Sequence, residues 1–241
     1  MNEHEFALFY PDLSNVLEKS QTLISINDKE IVHRISRILR LQLDEHMVLF
    51  DQKIHVQVQI TSISKNEIVV AVKKYEKNKV LTPRITIQLG LLKRDALQEA
   101  IENLTVLGVN EIQLFTSEKI NRAWGGAKEF DRLERLMIAA AEQSKQFVLP
   151  KLHEPITFSS LAHTKTETNV FCDPQGTSFL ELICSSKELS SLTIMIGPEG
   201  DLSDNEKEQL KKKNYQFCRL TSPILRAELA TTIVAGIVRS L

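Results

Sequence analysis

Cysteine is scarce in this chain. Cys172, Cys184 and Cys218 make an odd count with no Cys-x-x-Cys spacing, which excludes a disulfide framework and a thiolate zinc site and points to a reducing cytoplasm. There is no excess of either charge: 30 basic residues stand against 31 acidic ones, for a net charge of −1. Bulk charge therefore does not announce a nucleic-acid partner, and any basic face has to be local. No apolar run approaches the length of a membrane span, and Met1 to Pro11 carries acidic residues in place of an apolar segment; neither a membrane association nor a signal peptide is expected. No Gly-x-Gly-x-x-Gly follows a strand, and there is no Walker loop and no Gly-x-Ser-x-Gly elbow. The six histidines are scattered without ligand spacing, so no metal is expected.

What is present is ordinary globular material, 241 residues of which 42% are hydrophobic and 25% charged. That is enough for one large or two modest domains with real cores. His55 to Ile60 alternates strictly, the period of a half-buried strand, and Glu67 to Val72 is a second, β-branched run. Ser64, Lys65 and Asn66 between them supply a turn, so a hairpin is predicted. Upstream, Asn27 and Glu30 have capping-box spacing for a helix with Ile31, Ile35, Ile38 and Leu39 on its apolar side. The polar run Lys73 to Lys79 breaks this pattern, and a domain boundary is placed there, giving domains 1–76 and 77–241. The first, of about 75 residues, is small and mostly β, near the lower size limit for independent folding.

After the boundary the rhythm changes. Strands at Arg84 to Leu92, Glu111 to Thr116, Asn169 to Cys172, Leu192 to Ile196 and Gln216 to Leu220 alternate with helices. Among these are Asp95 to Leu107, Glu129 to Lys145 and a last one from about Arg226 to Leu241. This is the signature of an α/β fold with a mostly parallel sheet, in which ligands sit beyond the carboxyl ends of the strands.

Two strand-to-helix loops stand out there. In the first, Ile196 runs into Gly197-Pro198-Glu199-Gly200-Asp201-Leu202, and Ser203 with Glu206 forms a second capping box. The glycines allow close backbone approach and Pro198 stiffens the turn, which suits a backbone cradle for a flat polar cofactor such as an adenosine; a plain tight turn is the alternative. Glu199 has no evident structural duty at the loop tip. In the second, Leu220-Thr221-Ser222-Pro223-Ile224-Leu225 leads to a helix opening with Arg226 and Glu228. An arginine in a first helical turn opposes the helix dipole, so it faces either an anion or solvent.

Taken together, Ile-Gly-Pro-Glu-Gly after an apolar strand and Ile-Leu-Arg-x-Glu-x-Ala at the C-terminal helix resemble the RsmE family of small-subunit ribosomal RNA uridine-N3 methyltransferases. His33-Arg34-Ile35-Ser36-Arg37-Ile38-Leu39-Arg40-Leu41, Lys93, Leu107-Gly108-Val109 and Ala141-Glu142-Gln143-Ser144 extend the resemblance along the whole chain. The chain departs from the family pattern at Asp201 and Thr221, where the family has Gly, and at Leu202, where it has an aromatic. It departs again at Leu229 for Thr, Gln146 for Arg, Lys119-Ile120 for Arg-Ser, and at His4-Glu5-Phe6, where an arginine is missing.

The resemblance implies a PUA-like N-terminal RNA-binding domain and a SPOUT domain with a deep C-terminal trefoil knot, assembled as a cytoplasmic homodimer. It implies S-adenosylmethionine as cofactor and small-subunit ribosomal RNA, free or in the assembled subunit, as substrate. The cofactor would be held by Cys172, Ile196, Gly197, Pro198, Gly200, Leu220, Thr221, Pro223, Ile224 and Leu225. Arg226 would face charge on the uridine, with Glu199 or Glu228 taking the N3 proton or holding Arg226. His33, Arg34, Arg37 and Arg40 would form a basic stripe on one helix, which Lys93 and Arg94 extend toward the catalytic domain. The departures at Gln146, Thr221 and Leu229 leave open a paralogue that binds RNA or cofactor without methylating; separate alternatives are an enzyme that methylates a different RNA and a small-molecule methyltransferase.

Overall fold

The structure, a computed structural model, describes residues 5–19, 22–120, 122–161, 168–185 and 189–241. The chain separates into two compact units, Met1–Lys79 with Ala141–Val148, and Val80–Ala140 with Leu149–Leu241.

The first unit runs β1 (Phe6–Phe9), α1 (Leu13–Lys19), β2 (Leu23–Ile26), α2 (Lys29–His33), β3 (His46–Phe50), β4 (Ile54–Ile63) and β5 (Ile68–Lys77). Its sheet has the order β1-β3-β4-β5-β2, with β1 parallel to β3 and the other pairs antiparallel. The predicted hairpin is β4–β5, and the alternation of β4 buries Ile54, Val56, Val58 and Ile60 in one apolar cluster.

Three local expectations are corrected. Asp28, not Asn27, caps α2, accepting from the N–H groups of Glu30 and Ile31 at 2.9 and 3.0 Å. Directly after α2 the chain widens into a π-helical turn, Arg34–Ile38. That change of pitch keeps Ile35 buried but rotates Ile38 off the core, to 62% exposure. The lysine run does not end the β pattern, because β5 continues through Lys73 to Lys77.

Residues 141–148 belong with this unit through specific bonds. Glu142 accepts from the Phe9 N–H at 3.0 Å and from both terminal nitrogens of Arg34 at 2.9 and 2.5 Å, and Phe147 lies against the rings of His55 and Phe50.

The second unit contains β6 (Arg84–Gly90), α3 (Arg94–Val106), β7 (Glu111–Thr116), α4 (Ala127–Ser144, leaving the unit at Ala140) and β8 (Lys151–Thr157). It continues with β9 (Thr168–Ser178), α5 (Phe179–Ser185), β10 (Ser191–Ile196), α6 (Asp204–Lys212), β11 (Gln216–Arg219) and α7 (Ala227–Arg239). Among the described residues these strands form one sheet, ordered β11-β9-β10-β6-β7-β8 and parallel at every pairing. Both faces are covered, as a parallel sheet requires. Along β10, Leu192, Ile194 and Ile196 enter one apolar cluster, while Met195 enters another with Phe115, Phe171, Leu202 and Leu210. After β11 at the edge, the chain returns across the sheet. There α7 packs on α3, and Arg239 donates to the carbonyls of Pro83, Leu107 and Gly108 at 2.6, 3.1 and 2.7 Å.

Candidate active site

The loops at the carboxyl ends of β10 and β11, and a looped bulge within β9, build the site. The loop after β10 is fixed at both ends. On the far side, Ser203 and Glu206 form the predicted capping box, with bonds of 3.2 and 2.8 Å, and the buried Glu206 also accepts the Glu118 N–H at 2.9 Å. On the near side, Gly90 at the end of β6 sits against Gly197 and Pro198, so closely that a Cβ there would lie 2.5 Å from the Pro198 nitrogen. The left-handed residue of this loop is Asp201, at φ 58°. This explains why glycine suits the position and why aspartate, which tolerates that conformation better than most residues, can replace it. Leu202 is buried and so keeps the apolar character of its position, while Lys119 donates to its carbonyl at 3.0 Å.

The loop from β9 is a bulge. Phe171 pairs with Phe217 and Thr177 with Cys218, so Cys172–Gly176 leaves the ladder and bows toward the site. Buried Asp173 accepts from Lys207 at 2.9 Å, and Lys207 also donates to Asp201 at 2.6 Å. Lys207 thus ties the bulge to the Gly-Pro loop. Its partial burial disfavours the charge, but the bonds to Asp201 and Asp173 outweigh that and raise its pKa. After β11, the Thr221 hydroxyl closes the third loop onto the Pro223 carbonyl at 2.7 Å.

Between these loops lies a cavity of about 760 Å³. Of the residues singled out from the sequence, Cys172, Ile196, Gly197, Pro198, Leu220, Thr221, Pro223, Ile224 and Leu225 line it. Glu199, Arg226, Glu228 and Lys93 do so as well, whereas Gly200 and Arg94 do not. Asp173, Pro174, Cys218 and Arg219 also line it, as does Asp201 of the Gly-Pro loop; nothing in the local sequence of the first four sets them apart, because the β9 bulge and the β9–β11 register bring them in. Burial, with a smaller effect of Cys218, pushes the Cys172 thiol up, and burial likewise raises Cys218. Both are held as neutral thiols, which makes them poor nucleophiles.

The charged residues of the wall differ from the expectations in three ways. Arg226 is not in the first turn of α7 but is its extended N-cap residue (φ −66°, ψ 153°); it is exposed and has no ion pair or side-chain hydrogen bond among the described residues. Glu228 does not hold it: the half-buried Glu228 carboxylate has no partner among the described residues. Glu199 does have a structural duty, accepting the Lys93 N–H at 2.8 Å. Lys93 is the N-cap of α3 and offers that helix no side-chain cap of its own, so Glu199 supplies an acceptor at this end from another loop.

In the first unit, the basic stripe is broken. His33, Arg37 and Arg40 are exposed, but Arg34 is held by Glu142 and Arg40 has a left-handed backbone, φ 55°. His4 lies outside the described residues.

Known proteins resemble the chain along nearly its whole length. The sequence profile of the RNA methyltransferase domain family matches residues 79–239. A protein of Rickettsia conorii named ribosomal RNA small subunit methyltransferase E is 30% identical over 234 residues, covering 95% of this chain and 93% of its own. A Mesomycoplasma hyopneumoniae protein of the same name is 25% identical over 231 residues, 89% and 93% of the two chains. The crystal structure of a Neisseria gonorrhoeae ribosomal RNA small subunit methyltransferase E, bound to S-adenosylmethionine, superposes with a TM-score of 0.85 at 20% identity, covering 98% of each chain. At that identity the likeness carries the fold alone.

Proposed function

Because the chain belongs to the ribosomal RNA small subunit methyltransferase E family, we propose that it transfers a methyl group from S-adenosylmethionine to N3 of one uridine in small-subunit ribosomal RNA. The observation that carries this reading is the cavity walled by the β9 bulge and the loops after β10 and β11, with Arg226, unpaired among the described residues, in its wall.

The residues present fit the cofactor. The cavity is of the size that small-molecule sites have, and its walls offer strand-end backbone and short side chains. Cys172, Ile196, Gly197, Pro198, Leu220, Thr221, Pro223, Ile224 and Leu225 hold the cofactor in this reading; Gly200, away from the wall, does not. When bound, the cofactor supplies an electrophilic methyl group on a sulfonium sulfur.

The chain's own residues then answer two needs of the uridine. N3 carries a proton at neutral pH, and Glu228, the cavity carboxylate left without a partner among the described residues, accepts it. Charge developing on O2 or O4 is met by Arg226, beside the N–H groups of the first turn of α7. Holding both reactants in one pocket supplies much of the remaining acceleration. Glu199 positions the Gly-Pro loop and moves no proton.

The reading extends to the architecture, with the expected boundary at 76/77 moved to the division between the two units: a PUA-like RNA-binding domain formed by Met1–Lys79 with Ala141–Val148, and a SPOUT domain with a knotted C-terminal part formed by Val80–Ala140 with Leu149–Leu241. A knot is supported by the strand order, since β10 lies inside β9, β11 outside it, and α7 comes back to α3. His33, Arg37 and Arg40 contribute phosphate contacts, with Lys93 and Arg94. The enzyme works as a homodimer in the cytoplasm, on ribosomal RNA or the assembled small subunit.

The test is transfer of a labelled methyl group to small subunits lacking the modification. Arg226→Ala should lower turnover about 10²- to 10³-fold and leave cofactor affinity nearly intact. Cofactor binding with no transfer to any small-subunit RNA would overturn the reading in favour of a paralogue that kept the fold and lost the reaction.

A further inference from the structure

The lysine run Lys73–Lys79 is unexplained by the cavity. In the structure it is not a linker but the distal half of β5, exposed from Lys73 to Lys77. Strand β2 pairs with β5 only along Ile68–Ala71, and the Thr22 carbonyl takes the Val72 N–H. Beyond that point the outer edge of β5 has no strand partner among the described residues. Lys53 joins from the β3–β4 turn, its carbonyl bonded to the Asn78 N–H at 2.8 Å. Five lysines (Lys53, Lys73, Lys74, Lys77 and Lys79) thus lie on or beside this half-strand, and Glu76 is the one acid of the segment 73–79, in a chain whose net charge is −1. Glu76 is bound to Lys74 at 2.5 Å. Lys53, Lys73 and Lys77 have no ion pair among the described residues.

Lysines on an open strand edge also guard against edge-to-edge pairing. Tyr75 separates the two roles. It stands opposite fully buried Val56 in the register, yet is itself 51% exposed. An edge built only to repel other strands would not display an aromatic ring in its middle. A ring flanked by uncompensated cations is what single-stranded nucleic acid binds, stacking a base on the ring while lysines meet the phosphates.

We infer that the distal half of β5, with Tyr75 as stacking platform and Lys53, Lys73 and Lys77 as phosphate contacts, is the surface on which the first unit takes single-stranded RNA. The inference rests on the reading above that the substrate is RNA, and it gives that unit a contact surface separate from the helix that carries Arg34.

The test is fluorescence anisotropy of a labelled single-stranded oligouridylate with the full chain. Tyr75→Ala binds about tenfold more weakly and Tyr75→Trp restores the affinity. Lys73→Gln with Lys77→Gln lowers the slope of log affinity against log salt by about 1.4, two phosphate contacts on a single strand. A far-ultraviolet circular dichroism spectrum and an unfolding midpoint unchanged in all variants show that they fold. Wild-type affinity in Tyr75→Ala with an unchanged salt slope overturns the inference, as does a wild type that does not bind the RNA. Failure of methyl transfer with Tyr75-dependent binding intact would defeat the reaction and leave this surface standing.

Discussion

A single methyl group at Gly90 tests whether the Gly-Pro loop is held where the site needs it. In Gly90→Ala the new Cβ would lie 2.5 Å from the Pro198 nitrogen, 2.6 Å from its Cδ and 2.9 Å from the Gly197 carbonyl carbon. Carbon contacts settle at about 3.5–4.0 Å, so the loop and the strand end must part by about 1 Å. Neither gives easily. Gly90 is paired with Phe115 of β7, and Leu89 with Ile196, the residue that leads into the loop. Overpacking of this kind costs about 1–3 kcal/mol. If the loop yields, the cost appears in cofactor affinity, at tenfold for about every 1.4 kcal/mol. If it stays, the cost appears in stability, at about 2–4 °C of melting temperature per kcal/mol for a chain of this size. Calorimetric titration with S-adenosylmethionine and thermal unfolding, run on the same protein, capture both routes. A Gly90→Ala protein unchanged in both would refute the argument that this close approach holds the cradle.

Substitutions at two further carboxylates probe distinct duties. Glu199→Gln keeps an oxygen for the Lys93 N–H and should retain cofactor affinity, whereas Glu199→Ala should weaken it severalfold; a general base at this position would instead lose turnover in the Gln variant as well, which steady-state kinetics would reveal. Glu129 is buried, which alone would raise its carboxyl, but Arg122 and the Gly125 N–H outweigh this and hold it below the usual glutamate range. A folded value below the unfolded one means that its contribution is complete above the ordinary glutamate range and is lost as pH falls through the lower folded value. Glu129→Gln should therefore cost about 3 kcal/mol at neutral pH, with the gap to wild type narrowing on the acid side of a denaturation series.

Much of the α/β rhythm is legible in the sequence because its strands are apolar and its helices carry their own stops. Ser203 and Glu206 announce a helix start that the structure makes bond for bond. The strand β8 is not legible: Lys-Leu-His-Glu-Pro-Ile-Thr is polar and contains Pro155, which only an edge position tolerates. Asn27 and Asp28 are both good caps, and spacing alone favours the wrong one. The π-helical turn after α2 cannot be read from residue periodicity, and with it the stripe of Arg34, Arg37 and Arg40 loses its regularity. Gly197, Pro198 and Arg226 stand out at strand ends, but the approach of Gly90 and the arrival of Asp173 depend on tertiary pairings. The duty of Glu199 is of the same kind, since its partner is a backbone N–H more than a hundred residues away.

The most direct test of the central claim is to map the methylated base. Small subunits lacking the modification are incubated with the wild-type chain and labelled S-adenosylmethionine, and the product is digested to nucleosides and resolved by mass spectrometry. The account predicts 3-methyluridine at one position, absent when Glu228→Gln replaces the wild type. Label on another atom or another base, or label that persists in the Glu228 variant, would contradict it.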